Sequence, residues 1–350
     1  MQGAAGSGKT TIALHRISYF LYTMGKHFNP EKLMILAPNN LFIEYIGDVL
    51  PELGVDKICQ TTFVDYVQNA TKLKLKMADS TRILEDMVET LQFNEIPSFN
   101  IAQLKGTLFY KEVMDRILKY EEQQIASLFS DVFIEKYRII RASHLKKLFL
   151  VEFAYMPIEK RLERIKMIIQ TEVKRKTKAV LHTLKTRYDD TMERALNGIR
   201  DPEKRRNVVV KYLDERDARL PKIELEAKAT TKEYMKKFHK LKVKPLYRDF
   251  VTNNEMLRKF VPEWNFEQVQ AFKDAHQKEL WTNEDLAAIF YLQAKIKGIA
   301  DEWKMQVVFI DEVQDYSLFQ LVALKEGLDT DMFTASLTDE THLRHQLRAS

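Results

Sequence analysis

The sequence has a single cysteine, Cys59, among 350 residues. One cysteine cannot form a disulfide within a chain, which excludes a disulfide-stapled secreted scaffold and favours a reducing compartment. No apolar run approaches the roughly 18 residues that cross a bilayer, and no basic start followed by an apolar stretch resembles a secretion signal. We therefore expect a cytoplasmic protein with no membrane partner, in which Cys59 is a core thiol.

The sequence also has little excess of either charge, since it contains 55 Lys and Arg residues and 50 Asp and Glu residues. The resulting net charge of +5 excludes little about partners. The distribution is uneven, because residues 171–250 hold 23 Lys and Arg against 13 Asp and Glu. The eight histidines show no metal-ligand spacing beyond His342 and His345, so no zinc site is expected.

Three blocks differ in their residue patterns. Residues 1–68 contain a glycine-rich loop, a helix and the runs KLMILAP and KICQTTF, which are typical of buried parallel strands alternating with helices. Residues 69–281 have almost no strand signal, so we expect helix throughout. Residues 282–350 begin with a helix capped by Thr282 and Asp285 and ended by Gly298, followed by the apolar strand MQVVFI. One more strand, with a polar exit, is expected in DMFTASLTDE. The sequence therefore predicts an α/β fold in which a large all-α insertion interrupts a parallel sheet.

A long helical hairpin is predicted inside the insertion. Apolar residues recur at steps of three, four and seven between residues 158 and 199, which indicates one apolar stripe on a helix. Asn197 and Gly198 predict its end, and Asp201 and Pro202 predict the start of the returning helix. Pro221 predicts a further break. The basic surface of this hairpin fits either a solvated face or a contact surface for a partner.

Residues 3–10 read GAAGSGKT, which has the spacing G-x-x-x-x-G-K-[ST] of a phosphate-binding loop. Glycines let backbone N–H groups turn towards the α- and β-phosphates, and the following helix places its N-terminus under them. Lys9 would reach the β- and γ-phosphate oxygens, and the Thr10 hydroxyl would bind Mg²⁺. The residues expected to hold ATP are Gly3, Gly6, Ser7, Gly8, Lys9, Thr10 and Thr11.

The acids that a phosphate loop requires stand at the end of an apolar strand, in VVFIDE. Asp311 would hold the Mg²⁺ shell, and Glu312 would orient and deprotonate the attacking water. The alternative is a strand that ends in two solvated acids. The cofactors expected from both motifs are ATP and Mg²⁺.

Taken together, GAAGSGKTT, APNN, TTF and DEVQD resemble the superfamily 1 DNA helicases of the UvrD/Rep type. The longer segments QGAAGSGKTTIALHRISYFLY, ILAPNNLFIEYI and EDLAAIFYLQAKIKG, ahead of VVFIDEVQDYS, resemble the HelD type, a helicase-like ATPase associated with bacterial RNA polymerase. The resemblance is specific over residues 1–68 and 282–320. It implies a P-loop RecA-like sheet with a helical insertion, and ATP hydrolysis coupled to remodelling of nucleic acid or polymerase.

The resemblance also implies roles for individual residues. Gln314 would lie near the γ-phosphate and the attacking water, as a catalytic group beside Glu312 and Lys9, and Asp315 would couple this site to its neighbours. The residues that would face DNA, single- or double-stranded, are Pro38, Asn39, Asn40, Thr62 and Phe63. The alternative for APNN is a turn and helix cap. RNA polymerase is the protein partner that the resemblance implies.

The sequence departs from the family pattern at both ends. The strand that should carry the phosphate loop would precede Met1, so we expect an incomplete RecA-like sheet. Thr338 and His342 replace the glycine and glutamine of the family's Gly-Asp-x-x-Gln motif, and we expect the second RecA-like domain to be missing. We therefore expect a fragment covering 1–68 and 282–350 of the ATPase domain and 69–281 of the insertion, with weak ATP binding and negligible hydrolysis alone.

Two other classes remain open. ATPases of the SMC type also separate the two motifs by a long coiled coil, but they need a glycine-rich signature, and residues 282–306 contain only Gly298. The second is a non-catalytic polymerase-binding module with a vestigial nucleotide site. Binding of polymerase by the helical block, unaffected by ATP or Lys9→Ala, would favour that module.

Overall fold

The computed structural model of the chain describes residues 9–24, 28–52, 55, 57–78, 97–276 and 280–336. The elements follow in this order: α1 (Lys9–Met24), β1 (Leu33–Ala37), α2 (Asn40–Glu52), β2 (Cys59–Thr62), α3 (Phe63–Thr71), α4 (Pro97–Lys105), α5 (Leu108–Ser127), β3 (Val132–Ile134), β4 (Tyr137–Ile140), α6 (Ala142–Lys147), α7 (Ile158–Gly198), α8 (Pro202–Met235), α9 (Val243–Thr252), α10 (Asn254–Phe260), α11 (Phe266–Ala275), α12 (Asn283–Ile296), β5 (Val307–Ile310), α13 (Leu318–Leu328) and β6 (Phe333–Ala335). Short helical turns occur at Pro30–Lys32, Leu148–Glu152, Asp301–Trp303 and Val313–Asp315.

The chain forms two compact units. One comprises Met1–Leu118 with Leu241–Ser350, and the other comprises Lys119–Lys240. Both boundaries fall inside the stretch 69–281 that the sequence predicts as one insertion. Helices α4, α9, α10 and α11 from that stretch therefore belong to the same unit as the parallel sheet.

The first unit contains a four-stranded parallel sheet in the order β2-β1-β5-β6. Met34 pairs with Val308 and Leu36 with Ile310, so β1 and β5 are direct neighbours. All five residues of β1 are buried, because both faces of the sheet are covered. The strands predicted from KLMILAP, KICQTTF, VVFI and MFTAS are confirmed, and so is the α/β fold with a parallel sheet.

Helix α1 packs on the sheet through a narrow apolar stripe. Ala13, Leu14 and Ile17, at helical steps of one and three, are buried with Leu33 and Ile35 of β1. Phe20 and Leu21 are half-buried against the same cluster, whereas Tyr19 and Tyr22 are 70% and 89% exposed. One side of α1 therefore belongs to the core and the other faces solvent.

Helix α12 is buried on all sides along most of its length. Its ten consecutive residues from Asp285 to Ala294 are all buried. The predicted cap is confirmed: Thr282 Oγ1 accepts from the Asp285 N–H, and the Asp285 carboxylate accepts from the Thr282 N–H. The predicted end is also confirmed, since Gly298 follows the helix with φ of 83°, a conformation that glycine adopts without strain.

The same Asp285 is the centre of a buried ionic cluster. Its carboxylate is 2.7 Å from the Lys105 ammonium and 3.4 Å from His276 Nε2, and it accepts a 2.6 Å hydrogen bond from the Tyr247 hydroxyl. Tyr110 and Tyr247 share a further hydrogen bond of 2.8 Å. All five side chains are buried, and they join α4, α5, α9, α12 and the residue after α11.

Burial alone would raise the pKa of Asp285, but the charge of Lys105 and the hydrogen bonds from His276 and Lys105 hold that pKa well below its ordinary value. A carboxyl group whose pKa falls on folding stabilises the protein above its unfolded pKa of about 4. That contribution is lost as the pH falls below 4 and through the lower folded pKa.

The second unit is built on a helical hairpin formed by α7, with 41 residues, and α8, with 34 residues. The predicted turn is confirmed, and Asp201 caps α8 by accepting from the N–H groups of Glu203 and Lys204. The predicted break at Pro221 is wrong, because α8 continues through it. Proline has no N–H, so the carbonyl of Asp217 has no donor within the helix. Both residues are exposed, and water can therefore bond to that carbonyl.

The expectation of helix throughout residues 69–281 is also wrong. Strands β3 and β4 form an antiparallel pair that contacts α7 and α8. Glu135, in the turn, has a left-handed backbone with φ of 49°, and its carboxylate binds the Arg219 guanidinium through two hydrogen bonds of 3.0 and 2.6 Å. Its N–H donates to Glu226 at 2.8 Å. Contacts to α8 therefore stabilise a turn that local sequence does not favour.

None of the described helices combines the length and the apolar character needed to cross a membrane.

We predict that Lys105→Met lowers the free energy of unfolding by about 3–5 kcal/mol, because it leaves the buried Asp285 carboxylate without its cation. The control is Lys72→Met, which removes an exposed pair with Glu302 at 3.2 Å and should cost less than about 1 kcal/mol. Urea unfolding followed by circular dichroism measures both variants. Equal effects of the two substitutions would contradict the role assigned to the buried pair.

Candidate functional site

Polar residues follow the strands of the sheet at one edge. Since β1, β2, β5 and β6 are parallel, their carboxyl ends lie on the same side. Asp311 and Glu312 follow β5, Ser336 follows β6, and Pro38 and Asn39 follow β1. Ligands of open parallel sheets bind outside this edge, so it is the candidate site of the first unit.

Asp311 is held rigidly at the end of β5. The residue is 1% exposed, and its N–H donates to the Leu36 carbonyl of β1 at 3.1 Å. Its carboxylate accepts a hydrogen bond from the hydroxyl of Ser336, which is itself fully buried. The position of this carboxylate is therefore fixed by β1 on one side and by the end of β6 on the other.

Ser336 organises the backbone of the acidic segment as well. Its Oγ accepts from the Glu312 N–H at 3.2 Å, and its carbonyl accepts from the Val313 N–H at 3.0 Å. Its own N–H donates to the Ile310 carbonyl at 2.9 Å. The sequence predicted only a polar exit from β6, and the contact of Ser336 with Asp311 could not be read from it.

Glu312 has a left-handed backbone, with φ of 49° and ψ of 55°. This conformation is unfavourable for a residue with a Cβ, costing roughly 1–2 kcal/mol, and such strain is concentrated at functional sites. The half-buried Glu312 carboxylate accepts a hydrogen bond from the Gln314 amide. The turn therefore places the side chains of Glu312 and Gln314 in contact.

Two further ionisable groups, Asp315 and Tyr316, lie beside Asp311 and Glu312, and their pKa values are raised. Burial, together with the charge of Glu312, raises the pKa of Asp315. Burial also raises the pKa of Tyr316, with smaller contributions from Asp315 and Asp311. The Tyr316 ring packs edge-on against Phe63 at 6.2 Å between centroids, which ties the acidic turn to the start of α3.

The glycine-rich loop precedes the first described residue, Lys9. Gly3, Gly6, Ser7 and Gly8 lie outside the described residues, as do the side chains of Lys9 and Thr10 and the residues Thr338 and His342. The backbone of Lys9 begins α1, and Thr11 is exposed in its first turn. The helix expected after the phosphate loop is therefore present.

The contacts of Phe20 show in which direction α1 runs relative to β1. Phe20, near its end, packs on Phe28, and both line a pocket with Lys32 beside the amino ends of β1 and β5. Helix α1 has 16 residues, a length of about 24 Å, whereas the five residues of β1 span about 17 Å. Since α1 packs along β1, its first turn at Lys9 lies towards the carboxyl edge, where Asp311 and Glu312 are.

The residues expected to face DNA have structural roles at the ends of β1 and β2. Pro38, Asn39 and Asn40 are exposed, and Asn39 caps α2 by accepting from the Phe42 N–H at 2.9 Å. The turn and helix cap are therefore present, and the exposed surface remains open to a ligand.

The second predicted DNA-facing segment is less accessible. Thr62 caps α3 by accepting from the Asp65 N–H, and its hydroxyl donates to the Asp65 carboxylate at 2.8 Å. The Phe63 ring is 5% exposed. Base stacking needs an accessible ring face, which Phe63 does not offer in this conformation.

The donor atoms at the carboxyl edge fit magnesium. In the part of the chain that the structure describes, no three His, Cys, Asp or Glu side chains come together as a metal site. Mg²⁺ is usually held by one or two protein oxygens together with phosphate oxygens and waters, and therefore needs no such cluster. The carboxylate of Asp311, fixed by Ser336, is a ligand of the required kind.

Comparison of the sequence with models of protein families found no match, and comparison with curated proteins found none either.

We predict that Ser336→Ala lowers the free energy of unfolding by about 1–3 kcal/mol, because the buried Asp311 carboxylate and the Glu312 N–H lose a partner. Thr334→Ala, at an exposed position of β6, is the control and should cost less than about 0.5 kcal/mol. Chemical unfolding of both variants tests this. A loss no larger in Ser336→Ala than in Thr334→Ala would contradict the contact.

Proposed function

We propose that this chain is the ATP-binding part of a helicase-like ATPase of the HelD type, with a RecA-like nucleotide site at the carboxyl edge of the sheet. The proposal depends on one observation. Asp311 and Glu312 end a strand that pairs directly with β1, at the edge towards which α1 begins. This arrangement supports joint action of two motifs that lie some 300 residues apart in the sequence.

The proposed chemistry assigns each group a separate task. The glycine-rich loop and Lys9 would bind the phosphates, and Thr10 and Asp311 would hold Mg²⁺. When bound, Mg²⁺ neutralises charge that develops on the transferring phosphoryl group. Glu312 would accept the proton of the attacking water as the water oxygen bonds to the γ-phosphorus and ADP leaves with the bridging oxygen. Gln314 orients the Glu312 carboxylate through its amide.

The proposed partners are DNA and RNA polymerase, and the proposed location is the cytoplasm. The exposed residues Pro38, Asn39 and Asn40 lie at the same edge of the sheet as Asp311, which supports a nucleic-acid contact that responds to the nucleotide. Tyr45 of α2, 51% exposed, offers an accessible ring close to them in the sequence.

We predict that Lys9→Ala weakens binding of Mg²⁺-ATP by about tenfold or more, because the β- and γ-phosphates lose their cation. The matched control is Arg16→Ala, which removes an exposed cation further along α1 and should leave affinity unchanged. Equilibrium binding of a fluorescent ATP analogue measures both. Equal affinities of Lys9→Ala and the unaltered chain would refute the nucleotide site and favour a non-catalytic module.

We predict that Glu312→Gln retains Mg²⁺-ATP binding and lowers the hydrolysis stimulated by DNA and polymerase by about 100-fold or more, because it removes the proton acceptor. Asp315→Asn should affect hydrolysis less, since Asp315 does not receive the Gln314 amide. Phosphate release, measured with and without DNA and polymerase, distinguishes the two. Hydrolysis that survives Glu312→Gln would exclude Glu312 as the base.

A further inference from the structure

A long groove runs between α7 and α8 in the second unit, with a volume of about 900 Å³. It follows residues 166–181 of α7 and 224–235 of α8, with Lys236 directly after α8. The fifteen helical steps from residue 166 to residue 181 give the groove a length of about 22 Å, or about four turns of helix. Among its described lining residues the only acid is Glu224, whereas the bases are Lys166, Lys174, Lys178, Lys228, Lys232 and Lys236.

The groove lies on the face of α8 opposite to the β3–β4 pair. Arg219 and Glu226 of α8 contact Glu135 in the turn of that pair, whereas Lys228 and Met235 line the groove. Successive helical residues are about 100° apart, so residues nine positions apart, such as 219 and 228 or 226 and 235, point in opposite directions. The β3–β4 pair therefore covers one face of α8, and the groove follows the other.

The floor of the groove contains a buried hydroxyl without a partner. Thr171 and Thr183, elsewhere on α7, each donate at 3.0 Å to the carbonyl four residues earlier. Thr177 is 7% exposed, and its Oγ1 has no hydrogen-bond partner among the described residues. An unsatisfied buried hydroxyl is unfavourable, so a ligand group that bonds to Thr177 would gain an interaction that the chain alone does not provide.

The lysines of the rim repel one another. Lys174 and Lys178, and likewise Lys228 and Lys232, are four residues apart, where like charges destabilise a helix. These four lysines are exposed and form no ion pair in the part of the chain that the structure describes. An acidic ligand would relieve this repulsion.

We propose that this groove binds an acidic amphipathic helix of about four turns from a partner protein. Leu181, Ala227 and Met235 are half-buried in the lining and Val173 is buried, so the floor offers apolar surface to the apolar face of such a helix. The lysines on both rims fit carboxylates on its flanks. A nucleic-acid backbone fits less well, because its phosphates would gain nothing from the apolar floor. This inference does not depend on the proposed nucleotide site.

The probe is a fluorescent synthetic peptide of about 16 residues with leucines on one helical face and glutamates on its flanks. Binding to the full chain is measured by fluorescence anisotropy. We expect Lys174→Glu with Lys228→Glu to weaken binding by about tenfold or more, since each substitution places like charges together. The matched control, Lys185→Glu with Lys211→Glu, changes the net charge equally at exposed positions of α7 and α8 outside the groove and should leave binding unchanged.

A second pair of variants tests the floor. Thr177→Val should weaken peptide binding, whereas Thr183→Val should not. Circular dichroism confirms that each variant is folded. The proposal fails if both charge-reversal pairs weaken binding equally, or if a peptide with glutamine in place of leucine binds equally well. It also fails if duplex DNA binds at the groove lysines while the peptide does not.

Discussion

The pairing of β1 with β5 is the interaction on which the first unit depends. It places residue 34 opposite residue 308 in a parallel ladder, and it aligns the ends of both strands at one edge of the sheet. The carboxylate of Asp311 occupies its position because its own N–H bonds to Leu36 of β1 and its side chain bonds to Ser336. Without this pairing the acids and the start of α1 would belong to separate parts of the chain.

The two units reach stability in different ways. The first unit brings distant segments together around buried aromatic rings and the charged cluster at Asp285, where each buried polar group requires its partners. The second unit depends mostly on contacts between α7 and α8, which are joined by a short turn. Exposed positions on α7 and α8 can therefore change in charge without disturbing the packing between the two helices, and this freedom allows a lysine-lined groove.

Sequence patterns predicted the elements whose signals are local. Continuous apolar runs identified the four parallel strands, and the residues Asp201, Pro202 and Thr282 identified helix starts, because caps and burial leave a signature within a few positions. The β3–β4 pair was missed even though VFI and YRII are β-type runs separated by two residues, since the Glu-Lys turn has neither glycine nor asparagine. Pro221 was overestimated as a helix breaker because its exposed position allows water to replace the lost hydrogen bond. The contacts of Asp285 with Lys105, and of Ser336 with Asp311, join distant segments and leave no local pattern.

Strands β1 and β5 are far apart in the sequence, and this delays their pairing during biosynthesis. A ribosome that adds roughly 5–20 residues per second needs about 14–55 s to extend the chain from residue 34 to residue 308. Throughout that interval the apolar strand β1 has emerged without its central neighbour, whereas the hairpin of α7 and α8 can already fold. The nascent first unit should therefore depend on chaperones more than the second, since exposed apolar strands promote aggregation.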